Sequence, residues 1–181
     1  DHRDLHSFPP RRSSDLEVAK RCSCFGMKVI GVDLHNPGDG YVHAFAPVGE
    51  LADVLPAADY LVINLPLTKE TRGLIGRAEF SAIKRGALLI NVSRGGIVDE
   101  DAMVEALKEG ILGGAGCDVF QTEPLDRDSP LYELPNVIVS PHMAGLTTYM
   151  VARAMDLFCE NLGRFSRREE LLYRVDRKRG F

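Results

Sequence analysis

Paired metal-ligand spacing is missing from this sequence. Its four cysteines, Cys22, Cys24, Cys117 and Cys159, form no C-x-x-C pair, and Cys22-Ser23-Cys24 is too tight for an ordinary disulfide or a zinc knuckle. No bound metal and no disulfide framework are expected, and free thiols point to a reducing, cytoplasmic setting. Long hydrophobic runs are missing too. No stretch approaches the ~18 to 20 apolar residues that span a bilayer, and the first residues are polar where a signal peptide is apolar, so no membrane partner is expected. An excess of basic charge is likewise absent: 22 Lys and Arg against 26 Asp and Glu leave a net charge of -4, with no electrostatic basis for gripping nucleic acid.

What remains is an ordinary globular composition. The chain has 181 residues, 45% hydrophobic and 27% charged, with 17 Gly and 10 Pro, enough for one full domain and part of a second. Residues Asp1 to Leu16 (DHRDLHSFPPRRSSDL) show neither a two-residue nor a 3.6-residue apolar period. They match instead the translation of a common sequencing adapter, with one base changed at Pro10. Residues 1–16 are therefore expected to be a non-native tail outside the fold, matching no structural element.

From Glu17 the pattern is regular. Glu17 to Phe25 reads as the end of a helix stopped by Gly26, and Met27 to Asp33 as a buried strand. Further short apolar runs, expected to be parallel strands, are Tyr60 to Asn64, Ala87 to Val92, Gly114 to Val119 and Val137 to Ser140. Helix signals lie at Val48 to Ala57, Arg77 to Lys84 and Asp99 to Glu109, the last with acids in its first turn and a stop at Gly110. This alternation indicates an α/β fold with a mostly parallel sheet. Thr147 to Arg168 is a longer amphipathic helix with apolar residues spaced by three and four, followed by an Arg-rich tail.

Ligands bind such sheets at the carboxyl ends of the strands. The residues just past the expected strands are Asp33; Asn64 and Pro66; Ser93, Arg94 and Gly95; Asp118 followed by Glu123; and His142 with Gly145. Acids, a guanidinium and an imidazole thus gather on one edge, whereas His2, His6, His35 and His43 have no such context.

Four blocks at these positions carry a family resemblance. DVLPAADYLVINLPLTKETRGLIG (Asp53 to Gly76), IKRGALLINVSRGGIVDE (Ile83 to Glu100), DVFQTEPL (Asp118 to Leu125) and SPHMAG (Ser140 to Gly145) resemble, in order, the signatures of the D-isomer-specific 2-hydroxyacid dehydrogenases. The departure is at Tyr60, where the family carries a smaller aliphatic residue. The resemblance implies an NAD-dependent enzyme, homodimeric in its complete form, that interconverts a small 2-hydroxy acid and its 2-oxo acid. It makes His142 the acid–base group, Glu123 the carboxylate that orients it, and Arg94 the fork that binds the substrate carboxylate. On the cofactor side, Asp33 would bond the adenosine ribose and favour NAD over NADP. Asn64, Pro66 and Thr71 would line the path to the nicotinamide, and Val92, Ser93, Asp118, Ala144 and Gly145 would surround its ring.

One expected element has no counterpart. Family members pass from the last glycine of a G-x-G-x-x-G turn into x-x-V-A, here Val18-Ala19, so the glycines would fall at Pro10, Arg12 and Asp15. The strand that precedes this turn, central in a doubly wound sheet, is missing with it. The expected fold is therefore an incomplete doubly wound, Rossmann-type parallel sheet over 17–146, with a C-terminal helix and tail over 147–181 that return toward an absent substrate domain. The chain by itself is expected to be inactive. An NAD-sensing protein-binding module, like the C-terminal-binding-protein corepressors that resemble the same family, is the alternative reading.

Overall fold

A computed structural model describes residues 13–34, 36, 38 and 40–175. Positions 1–12, 35, 37, 39 and 176–181, and with them His2, His6, His35, Pro10 and Arg12, lie outside the described residues.

The element order is α1 (Ser13–Cys24), β1 (Ile30–Asp33), β2 (Ala44–Pro47), α2 (Leu51–Val54), β3 (Tyr60–Ile63), α3 (Arg77–Ala82), β4 (Ala87–Asn91), α4 (Glu100–Lys108), β5 (Leu112–Cys117), β6 (Val137–Val139) and α5 (Met150–Ser166). Strands β3-β4-β5-β6 form one four-stranded sheet in that order, and β1 and β2 a separate pair; every pairing is parallel. The chain is α/β and Rossmann-type, as expected, with its sheet in two pieces.

Local chemistry explains the boundaries. Gly26 (φ +75) ends α1, its N–H donating to the Ser23 carbonyl. The Asp99 carboxylate caps α4 by accepting from the Ala102 N–H at 3.1 Å. Helix α4 buries Ala102, Met103, Val104, Ala106 and Leu107, and its inner face joins Leu55, Phe80, Leu89, Ile97 and Leu112 in one core. Removing each such large side chain from water stabilises the fold by roughly 1.5 to 3 kcal/mol.

Three expectations change. Helix α1 begins at Ser13, so Ser13 to Leu16 are helical and the opening residues are not wholly without structure. Val48 to Ala57 is not one helix: 3-10 turns at Val48–Glu50 and Leu55–Ala57 flank the single turn of α2, the second carrying Pro56. Strand β2 was not expected, because Ala44-Phe45-Ala46-Pro47 is too short to show a period and buries only Ala46. The other strands differ by one to three residues at their ends.

Helix α5 stands apart from the core. None of its residues is buried, and Val151, Met155, Phe158, Leu162 and Phe165 are exposed along one stripe. The tail folds back on it through Asn161, whose side chain donates to the Leu172 carbonyl at 3.1 Å and accepts from the Leu172 N–H at 2.8 Å. Among the described residues no helix is long and apolar enough to cross a membrane.

Candidate active site

Each functional side chain sits where a strand stops. Strand β4 ends at Asn91, which is buried, and its side chain shapes the next turn: Oδ1 accepts from the Ser93 N–H (3.2 Å) and hydroxyl (3.0 Å), while Nδ2 donates to the Arg94 carbonyl (3.2 Å). Alternation along this turn turns Ser93 inward and leaves Val92 and Arg94 exposed. The Arg94 guanidinium donates one bond to the Ser93 carbonyl at 2.6 Å, and its fork has four further N–H donors in its inventory.

Gly95 fixes this turn against the next one. A β-carbon at Gly95 would lie 1.9 Å from the carbonyl carbon of Phe120, so only glycine permits the approach. The Arg94 turn and the loop that carries Glu123 are thereby locked together.

Past β5, the Glu123 carboxylate accepts from the Phe120 N–H at 3.0 Å through Oε1 and faces His142 through Oε2, 2.6 Å from Nδ1. The hydrogen bond to His142 is the main cause that holds the Glu123 carboxyl below its ordinary pKa. Partial burial opposes it, and the Phe120 N–H and the Arg94 charge assist. The Glu123-Pro124 peptide is cis. His142 itself takes a left-handed backbone conformation, φ +51.

Asp118 explains how that conformation is held. It is buried, its backbone carbonyl accepts from the His142 N–H at 2.8 Å, and its carboxylate accepts from the N–H groups of Met143 (2.9 Å) and Ala144 (2.8 Å) and from the Ser140 hydroxyl. Burial alone would raise the Asp118 pKa, but the Ser140, Ala144 and Met143 bonds and the His142 charge outweigh it and lower it. Asp118 is thus a brace for the His142 turn. Asn91 and Ser140 also shape the site without having been read as site residues, and Gly95 was read only as a strand-end residue; a polar residue closing an apolar strand was the available signal for Asn91.

Asp33 and Asn64 line a separate cleft of about 560 Å³ between β1 and β3, whose lining does not include Arg94, Glu123 or His142. Thr71 closes the loop after β3, donating to the Pro66 carbonyl at 2.5 Å and accepting from the Thr68 N–H at 2.8 Å. Gly145 borders open space beside the His142 turn.

A dinucleotide fits one end of this edge and not its middle. Val92 and the 142–145 turn offer a nicotinamide a surface and Asp33 offers a ribose a carboxylate, whereas Ser93, expected at the ring, is turned inward onto Asn91. The pyrophosphate needs close backbone approach at a helix N-terminus. Helix α1 instead opens on Ser13-Ser14-Asp15, without glycine and with an acid in its first turn.

Residues 16–144 match the model of the D-isomer specific 2-hydroxyacid dehydrogenase NAD binding domain. A glyoxylate reductase of Korarchaeum cryptofilum is 38% identical over 152 residues, 84% of this chain and 46% of that protein. Glyoxylate/hydroxypyruvate reductase B of Pectobacterium carotovorum is 52% identical over 98 residues, 54% of this chain and 31% of that protein. Among solved structures, a D-isomer specific 2-hydroxyacid dehydrogenase from Xanthobacter autotrophicus Py2 in complex with NADPH and MES superposes with a TM-score of 0.84 at 32% identity, over 97% of this chain and 77% of that one. The chain spans less than half the length of these curated relatives. With its matching domain, its strand-end residues and its parallel sheet, this chain belongs to the D-isomer-specific 2-hydroxyacid dehydrogenase family.

Proposed function

We propose that the complete protein interconverts a small D-2-hydroxy acid and its 2-oxo acid with NAD as cofactor. Residues 17–146 supply the cofactor-binding domain, and 147–181 supply a helix and tail that return toward a substrate domain. The observation that carries this reading is the Glu123–His142 pair, 2.6 Å apart on the same edge as Arg94. Bound nicotinamide supplies or accepts the hydride.

The remaining work falls to the chain's own side chains. A secondary alcohol must lose its hydroxyl proton as it is oxidised, and the developing alkoxide must gain one in reduction. With Nδ1 on Glu123, His142 presents Nε2 to that oxygen, and the carboxylate beside it stabilises the imidazolium formed when the proton is taken. Arg94 binds the substrate carboxylate through paired N–H donors and thereby fixes the reacting carbon. Asp33 at the end of β1 supports NAD over NADP, since a 2′-phosphate would meet its carboxylate. Four free cysteines among the described residues suit a reducing cytoplasm.

The test is a chimera in which the N-terminal half of the Korarchaeum glyoxylate reductase, through its glycine turn, precedes Glu17. NADH consumption with glyoxylate and hydroxypyruvate is expected, and turnover with NADPH is expected to be slower. A folded, NADH-binding chimera that reduces no 2-oxo acid overturns the activity, and equal or faster turnover with NADPH overturns the cofactor preference.

A further inference from the structure

The loop that carries Glu123 is gripped from one side by residues 95–100. The Gly95 backbone abuts the Phe120 carbonyl, the Val98 carbonyl accepts from Gln121 Nε2 at 3.1 Å, and the Glu100 carboxylate accepts from the Gln121 N–H. Adjacent amides of the loop therefore go to two different acids, since the Phe120 N–H donates to Glu123 itself. One acid belongs to the loop. The other comes from the first turn of α4, a helix anchored in the core by Met103 and Leu107.

Glu100 holds this place against its electrostatics. Burial is the main cause that raises its carboxyl above the ordinary pKa; the Gln121 N–H bond opposes this, and the charges of Asp101 and Glu123 add to it. Helix α4 has its cap elsewhere, because Asp99 accepts from the Ala102 N–H, and Asp101 also supplies an acid to the first turn. A half-buried acid kept beside like charges, and not used as a cap, has the character of a functional-site residue.

We propose that Glu100 is a positioning residue for the activity proposed above, on which this role rests: it holds the 120–123 loop through the Gln121 N–H and so keeps Glu123 on His142. Arg94 and Glu100 stand at the two ends of one short segment, so the stretch that presents the substrate fork also sets the place of the orienting carboxylate. An amide oxygen in place of the carboxylate can still accept from Gln121, whereas a leucine side chain cannot. What the role requires at this position is an acceptor, not a charge.

The test compares Glu100→Leu, Glu100→Gln and Asp101→Asn, in the chimera for turnover and in the full chain for position. In the chimera, Glu100→Leu is expected to lower kcat about tenfold or more with little change in KM, because a displaced Glu123 no longer orients the imidazole while Arg94 still binds substrate. Glu100→Gln is expected to keep most of the parent kcat, and Asp101→Asn, which removes a charge from the same helical turn, all of it. In the full chain, an NMR titration of the Glu123 carboxyl reads its position without any turnover. Its pKa is expected to rise toward the ordinary 4.5 in Glu100→Leu, as the His142 bond is lost. In Glu100→Gln it is expected not to rise, since removing a like charge acts in the opposite direction.

Parent-like kcat in Glu100→Leu, an equal loss in Glu100→Gln, or a Glu123 titration that Glu100→Leu leaves unchanged overturns the role. An unfolded Glu100→Leu beside a folded Glu100→Gln assigns the contact to stability and overturns it too. A parent chimera that binds NADH but reduces no 2-oxo acid overturns the activity instead, and the Glu123 titration then decides the place of Glu100 alone. Should the full chain be unfolded by circular dichroism, the same titration in the folded chimera decides it.

Discussion

The imidazole of His142 meets Glu123 at 2.6 Å, yet the turn that presents it is held by a different acid, Asp118, which receives the backbone N–H groups of residues 142, 143 and 144. One carboxylate orients the ring and another fixes the chain beneath it. The two roles are separable by mutation.

Asp118→Asn replaces one accepting oxygen with an amide donor that faces N–H groups. A buried donor left without a partner costs about 1 to 3 kcal/mol. The variant is expected to unfold at lower urea than the parent chain. An unchanged midpoint and slope would show that the turn holds without the carboxylate.

Acid should weaken the fold through the same pair of residues. Both Asp118 and Glu123 have folded pKa values below their ordinary 3.8 and 4.5, so their stabilisation is complete above about pH 5 and is lost as pH falls through the folded values. Urea midpoints should hold from pH 6 to about pH 5 and fall from there to pH 3. Glu123→Gln should flatten part of the fall, since an amide has no charge to lose.

Gly95→Ala puts a methyl group onto the Phe120 backbone. Backbone cannot swing aside as a flexible side chain would, so a loss of at least 1 to 3 kcal/mol is expected. In the chimera this variant should also lose turnover, because the Arg94 turn and the Glu123 loop are driven apart. Normal turnover would show that the two loops need no such contact.

Arg94 and His142 should fail differently in the chimera. Arg94→Ala is expected to raise KM for the 2-oxo acid at least tenfold and to slow turnover, as binding and orientation are both lost. His142→Ala is expected to lower kcat by about 10² to 10⁴-fold with a smaller change in KM. Near-normal kcat in His142→Ala would remove the imidazole from proton transfer.

For the chain as it stands, weak NAD binding and no dehydrogenase turnover are expected. Charge-assisted N–H bonds to a pyrophosphate contribute about 1.5 to 3 kcal/mol each, and without two of them affinity falls by about 10²-fold or more. Titration calorimetry that gave micromolar binding would mean that α1, despite Asp15, cradles phosphate.

The parts of the site visible in the sequence were those whose residue types are unusual where they stand. Arg94, Glu123 and His142 stand after apolar runs inside blocks that resemble the family's signatures, and the runs themselves marked most of the strands. Other parts depended on distance in space. That Gly95 touches Phe120, or that Asp118 accepts from Ala144 twenty-six positions away, is set by the register of β4 on β5 and β5 on β6, which no local pattern encodes. Strand β2 escaped notice because it borrows its order from β1, and the 48–57 segment because Pro56 breaks a helix that its apolar spacing favours.

Helix α5 places no residue in the core, so the packing of the sheet is indifferent to the direction in which that helix points. The apolar stripe from Val151 to Phe165 therefore faces outward, and covering it takes nothing from the packing that holds Glu123 beside His142.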